Sequence, residues 1–289
     1  MKTFFKNKGK EVFRNNLEMF NTKIYKVMAN EKETIKRVNN LLIVDESGSM
    51  SVIYRETLAG INETITTCQK LQRLHPELEQ RITLVTFDSG HYKVHYDNML
   101  ATEVTELTTK QYDPHAATPL YDAIGKAVSK MNAQTEPGDA VLVTILTDGC
   151  ENASKEYNLT MVKRLIGKLK EQGWTFTLIG TDDLDVKGMA QSMDINNHFA
   201  FCEDSASTER MFAMERSCRI RYNKSIVAND YCMDESSDSY FDAADLSGLE
   251  DGEGVSLQDI MDVESSAQPN LHDILVDEPS AQPNIEEKK

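Results

Sequence analysis

The sequence predicts an α/β fold: a doubly wound, Rossmann-like and mostly parallel sheet with one antiparallel edge strand and helices on both faces. Three observations predict it. Short runs rich in aliphatic and β-branched residues recur along the chain, at residues 41–44, 81–87, 140–146 and 174–179. Stretches with apolar residues at helical spacing separate them, and strands alternating with helices of this length build parallel sheets. Two of the runs stop abruptly at an acid, Asp45 in one case and Asp148 in the other. Both acids therefore stand at the carboxyl ends of central strands, where open α/β sheets hold their ligands.

Residues 1–37 are a basic lead-in with ten Lys/Arg against four Asp/Glu, and its apolar residues suit either a docked helix or an interaction arm. Leu41, Leu42, Ile43 and Val44 are four consecutive large aliphatics, the mark of a strand buried on both faces. Gly48 ends that strand, and Leu58, Ile61, Ile65, Cys68 and Leu71 then recur on one face of a helix over 54–74. A second strand at 81–87 turns at Asp88, Ser89 and Gly90. The alternating stretch 92–96 follows so closely that it predicts an antiparallel hairpin partner at the sheet edge.

Thr118 and Pro119 suit the start of the next helix, with Thr as cap and Pro as first helical residue, and Leu120, Ile124, Ala127 and Met131 share its buried face. A buried strand at 140–146 leads into Thr147, Asp148 and Gly149. The alternation continues with a helix over 159–171, a strand at 174–179, a short helix near Met189, a strand at 199–201 and a helix from 208 to 224. Trp174, Met211 and Met214 read as core, and the globular part, 38–227, ends near Val227.

Residues 228–289 form an acidic tail. Its 233–289 portion carries sixteen Asp/Glu against two Lys, a balance of 2 − 16 = −14 within a total of −16. So few bulky residues cannot bury enough surface to fold alone, which predicts disorder. The segment 259–270 is echoed by 273–284, either a duplicated solvated stretch or two copies of a short peptide ligand that gain avidity together. No basic stripe argues for nucleic acid, and no apolar run reaches membrane-spanning length. Five scattered cysteines, an odd number without metal-like pairing, point to reduced thiols and a cytoplasmic protein.

The chemistry of the two acidic loops follows from the atoms they offer. Asp45, Ser47 and Ser49 supply one carboxylate and two hydroxyls with no imidazole or thiolate among them. An all-oxygen set of this kind suits a hard divalent cation: Mg²⁺ first, with Mn²⁺ or Ca²⁺ as alternatives. A phosphate cradle is excluded, because it needs a Gly-rich turn with Lys before the hydroxyl, and an acid at its start repels the ligand.

Asp45, Ser47 and Ser49 at alternate positions, Thr118 in the loop with Pro119 and Leu120, and Asp148 between Thr147 and Gly149 together resemble the metal-ion-dependent adhesion site of the von Willebrand factor type A domain. The three parts come in that family's order. The resemblance implies that Ser47 and Ser49 coordinate the metal directly, that Asp45 and Thr118 do so directly or through water, and that Asp148 acts through water. It also implies similarity to the intracellular type A proteins of bacteria and phages, some of which work with AAA ATPase partners. A cation held by few direct carboxylates keeps uncancelled charge, so an Asp or Glu from a protein partner can complete its shell.

The resulting expectation is a metal-dependent protein-binding module, an adaptor or assembly factor rather than an enzyme. Two alternatives stand beside it: a metal-dependent hydrolase built on Asp45 and Asp148, for which the loops supply too few acids and no convincing base, and a scaffold with a vestigial site. Among the neighbours, Glu46 reads as an exposed loop acid, Asp122 as first-turn helix electrostatics, and Cys150 as an inert thiol whose sole candidate base is His115.

Overall fold

The computed structural model describes residues 36–228 and 239–241. The basic extension up to residue 35 and most of the acidic tail, with both repeats at 259–270 and 273–284, lie outside the described residues. Among the described residues six strands form one sheet: β1 (Arg37–Asp45), β2 (Glu79–Phe87), β3 (Tyr92–Leu100), β4 (Ala140–Thr147), β5 (Thr175–Thr181) and β6 (Asn197–Phe201). Their order is β3-β2-β1-β4-β5-β6, so β1 and β4 are central neighbours. All pairs are parallel except β2 with β3, the antiparallel hairpin edge read from the sequence.

Among the described residues five α-helices cover the sheet: α1 (Tyr54–Leu74), α2 (Leu120–Gln134), α3 (Leu159–Lys170), α4 (Val186–Ser192) and α5 (Ser205–Val227). The period-2 alternation of β1 divides the core. Leu41 and Ile43 pack with Leu120, Ile124, Val162, Ile166 and Val186 of α2, α3 and α4. Leu42 and Val44 turn to the opposite face and pack with Ile61 and Ile65 of α1 and with Met211 and Phe212 of α5. A strand flanked by helices on both sides has no solvent face, which is why its sequence shows a continuous apolar run.

Trp174, Met211 and Met214 are buried, as their pattern predicts. Two helix starts differ from the sequence reading. Helix α2 begins at Leu120 with Pro119 at the cap position and no side-chain cap bond, so Thr118 is not the cap. Helix α5 begins three residues earlier than its apolar pattern, because Asp204 caps it by accepting from the Ser207 amide at 2.9 Å. Helix α5 also carries a charge pair that packs on the sheet. Arg219 is fully buried and donates to Glu215 at 2.6 Å and to the Thr144 hydroxyl at 3.0 Å, with Asn40 as a further acceptor.

Beyond α5 the chain returns to the core. Tyr240 is buried, donates from its hydroxyl to Glu215 at 3.0 Å, and meets Tyr222 edge-on with ring centroids 6.1 Å apart. Within the segment read as an acidic tail, Tyr240 and Phe241 thus pack on the domain. Among the described residues no helix is long and apolar enough to cross a membrane.

Candidate metal centre

Parallel packing of β1 against β4 brings their carboxyl ends together, with Val44 in register with Leu146. One residue further along β1, Asp45 is fully buried. Its Oδ1 accepts from the Ser47 amide at 2.7 Å and its Oδ2 from the Thr147 hydroxyl at 2.6 Å. Its backbone carbonyl accepts from the Tyr112 hydroxyl at 2.9 Å, which ties the strand end to the loop ahead of Thr118. A 3-10 turn, Gly48–Ser51, then carries the two serines round. Ser47 Oγ and Ser49 Oγ lie 3.3 Å apart, and Ser49 Oγ donates to Asp148 Oδ1 at 2.7 Å.

Thr118 arrives from a third loop. Its backbone is clamped from both sides by Asn152, whose Oδ1 accepts from the Thr118 amide at 2.9 Å and whose own amide donates to the Thr118 carbonyl at 3.1 Å. The Thr118 hydroxyl faces the turn after β4 so closely that a Cβ on Gly149 would stand 2.8 Å from its Oγ1. Glycine is required there for close approach. The same loop is fastened to the first one by the Gly48 amide, which donates to Ala116 at 3.1 Å, and Ala116 holds a left-handed φ of 65° to make that contact.

The structure thus gathers Asp45, Ser47, Ser49, Thr118 and Asp148 at one edge. Burial pushes Asp45 up to about 6, against hydrogen bonds from Thr147 and Ser47 that act the other way. Burial likewise pushes Asp148 up to about 7, with the nearby charge of Asp45 adding to it. Asp148 Oδ2 is buried and accepts no hydrogen bond. Among the described residues no Lys or Arg pairs with either acid. Two buried carboxylates without a counter-charge, three hydroxyls and one orphaned oxygen are a donor set that fits a hard divalent cation.

Two side chains take parts that differ from their sequence reading. Glu46 is no exposed loop acid: it is fully buried and accepts from Lys93 Nζ at 3.0 Å, from the Asp113 amide at 2.6 Å and from His91 at 3.0 Å. Burial works to raise it, yet hydrogen bonds from Thr86, Asp113, Lys93 and His91 hold it below the usual carboxylate range. Asp122 does more than complement a helix end, because it accepts the amides of Lys155, Glu156 and Tyr157 and so fastens the loop after β4 to α2. His115 is directed at Asp88, with Nε2 3.3 Å from Oδ2, while Cys150 is exposed.

Asp88, His91 and His115 form a possible metal-binding group that the sequence reading does not contain, their ligand atoms lying within 4.8 Å of one another. The signal available was slight: one turn after β2 and one loop after β3 that end at the same sheet edge, with no regular spacing between them.

No protein-family model and no curated protein matches the chain. Among solved structures it is similar to the PilB minor pilin from Streptococcus sanguinis at 10% identity and a TM-score of 0.47, covering 68% of this chain and 64% of that one. It is similar to the vWF domain of the type V pili tip protein Mfa5 from Porphyromonas gingivalis at 11% identity and a TM-score of 0.46, covering 62% and 94%. It is also similar to a manganese-loaded Plasmodium vivax TRAP protein at 15% identity and a TM-score of 0.42, covering 61% and 72%. The chain spans less than two thirds of the PilB minor pilin and 30% of the pilus adhesin SpaC from Lactobacillus rhamnosus GG.

Proposed function

We propose that this chain is a divalent-metal-dependent protein-binding module of the von Willebrand factor type A kind. Asp45, Ser47, Ser49, Thr118 and Asp148 would hold Mg²⁺ or Mn²⁺, which supplies positive charge at a buried acidic edge and attracts an Asp or Glu from a protein partner. In this reading the compartment is the cytoplasm and the protein is an adaptor or assembly factor, with an AAA ATPase as partner by analogy alone. The vWF domain of Mfa5 and the manganese-loaded TRAP protein are in keeping with this reading but do not carry it.

The observation that carries the proposal is the orphaned Asp148 Oδ2, buried without a hydrogen bond beside a second uncompensated acid, Asp45. Buried carboxylate oxygens ordinarily accept hydrogen bonds, and a cation would occupy the place of the missing donor. Binding is preferred to hydrolysis in this reading because His115, the candidate base, lies against Asp88, with Nε2 3.3 Å from Oδ2. The test is calorimetric titration of the full chain with Mg²⁺ and Mn²⁺, followed by capture from host lysate in Mg²⁺ and in chelator, with Asp45→Asn as control. Saturable binding and capture that both vanish in the variant support the proposal. Capture that survives chelator and the variant alike moves the binding surface elsewhere on the chain.

A further inference from the structure

We propose that Asp88, His91 and His115 form a second metal site, distinct in chemistry from the five oxygens and selective for a nitrogen-seeking divalent ion such as Zn²⁺. The inference does not rest on the oxygen site. It starts from the hydrogen bonds of the two imidazoles. His91 Nε2 lies 3.0 Å from Glu46 Oε2, and His115 Nδ1 lies 2.6 Å from the Asp113 carbonyl. Both partners are acceptors, so both of these ring nitrogens carry the proton. In the neutral rings the remaining nitrogens, His91 Nδ1 and His115 Nε2, are therefore lone pairs.

Both of these nitrogens lie against one carboxylate, and neither makes a hydrogen bond to it. His91 Nδ1 is 2.9 Å from Asp88 Oδ1, and His115 Nε2 is 3.3 Å from Asp88 Oδ2. The Asp88 side chain is fully buried. Its Oδ1 already accepts the Gly90 and His91 amides at 2.6 and 2.8 Å, whereas its Oδ2 accepts no hydrogen bond. Lone pair against lone pair at these distances is repulsive, and either two extra protons or one cation removes the repulsion. A single divalent ion does so without adding a proton to either ring.

The surroundings suit an ion in a further respect. A metal-bound imidazole ordinarily donates its other nitrogen to a carboxylate or a backbone carbonyl, which orients the ring and raises its basicity. Glu46 and Asp113 stand in those two places. Two nitrogens and one oxygen match ions of the Zn²⁺ and Co²⁺ type and match Mg²⁺ poorly. Three protein ligands leave a position open to solvent, and a cleft of about 240 Å³ bounded by Asp88, His91, Pro119 and Lys126 gives access. The ion would join the turn after β2 to the loop that carries Thr118, two segments already paired by the Ser89 amide donating to Ala117 at 2.8 Å.

The test is equilibrium binding of Zn²⁺ to the full chain in the presence of excess Mg²⁺, with His91→Ala, His115→Gln and Asp45→Asn compared. The expected result is one Zn²⁺ held per chain at these residues, with affinity falling roughly tenfold or more in each histidine variant and unchanged in Asp45→Asn. His115 is 55% exposed at its side chain, so His115→Gln keeps the fold and remains informative if His91→Ala does not. Absorption of the Co²⁺-loaded chain is a second readout: ligand-field bands without thiolate charge transfer are expected. Wild-type Zn²⁺ affinity in both histidine variants, loss of Zn²⁺ in Asp45→Asn, or a thiolate band would each overturn the assignment. Mg²⁺ titration of the same proteins reports separately on the oxygen site.

Discussion

Two of the clusters of buried charge among the described residues are completed in opposite ways. Under α5, Arg219 and Glu215 are both buried, yet each finds its counter-charge in the other and its remaining hydrogen bonds in Asn40, Thr144 and Tyr240. At the carboxyl edge, Asp45 and Asp148 are buried beside each other with only hydroxyl and amide donors, and one oxygen of Asp148 has none. The first cluster is electrically closed. The second is not, and the difference teaches where the chain holds a structural ion pair and where it is prepared for something from outside.

Breaking the closed cluster should have the largest effect. Glu215→Ala leaves Arg219 buried and unpaired and is expected to cost about 3–5 kcal/mol in urea unfolding. An equally severe loss should not follow at the open cluster. In chelator, Asp148→Asn removes an uncompensated charge and keeps an oxygen for the Ser49 hydroxyl, so its melting temperature should equal or exceed the wild type. What it should lose is the response to Mg²⁺, which for wild type amounts to about 2.7 kcal/mol at a hundred times the dissociation constant. A destabilised, still Mg²⁺-responsive Asp148→Asn would make the two clusters alike.

Acidity sharpens the same contrast. The folded values of Asp45 and Asp148, about 6 and about 7, lie above the ordinary carboxylate value. Stability from these acids is therefore complete below the unfolded value, near 4, and is lost as pH rises through 6 and 7. Thermal melts in chelator should show this contribution declining from pH 5 to 8. Melts in Mg²⁺ should show a stabilisation that grows over the same interval, because the cation and the protons compete for the same oxygens. The smallest effect is expected at Ala116, whose positive φ favours glycine; Ala116→Gly should stabilise by at most about 1 kcal/mol.

The sequence was most legible where structure repeats. Leu41 to Val44 announced a doubly covered strand because helices shield both its faces, and Asp45 and Asp148 could be placed at one sheet edge because the apolar runs before them stop there. It was least legible where a side chain's partner lies far along the chain. Glu46 looks like a loop acid until Lys93, His91 and Asp113 surround it. Thr118 looks like a helix cap until the helix is found to begin at Leu120, with Asn152 holding the threonine backbone.

The sequence by itself determined the alternation of strands and helices, the antiparallel edge, and which acids and hydroxyls stand at the carboxyl ends of the central strands. These follow from periodicity and from where apolar runs stop, both local properties of the chain. Only the tertiary structure decided which charges are neutralised and which are left open. Arg219 meets Asn40 across 179 positions, Glu46 meets Lys93 across 47 and His115 meets Asp88 across a hairpin and a loop. Electrostatic fate depends on burial and on neighbours brought together by folding, and no local pattern in the sequence records either.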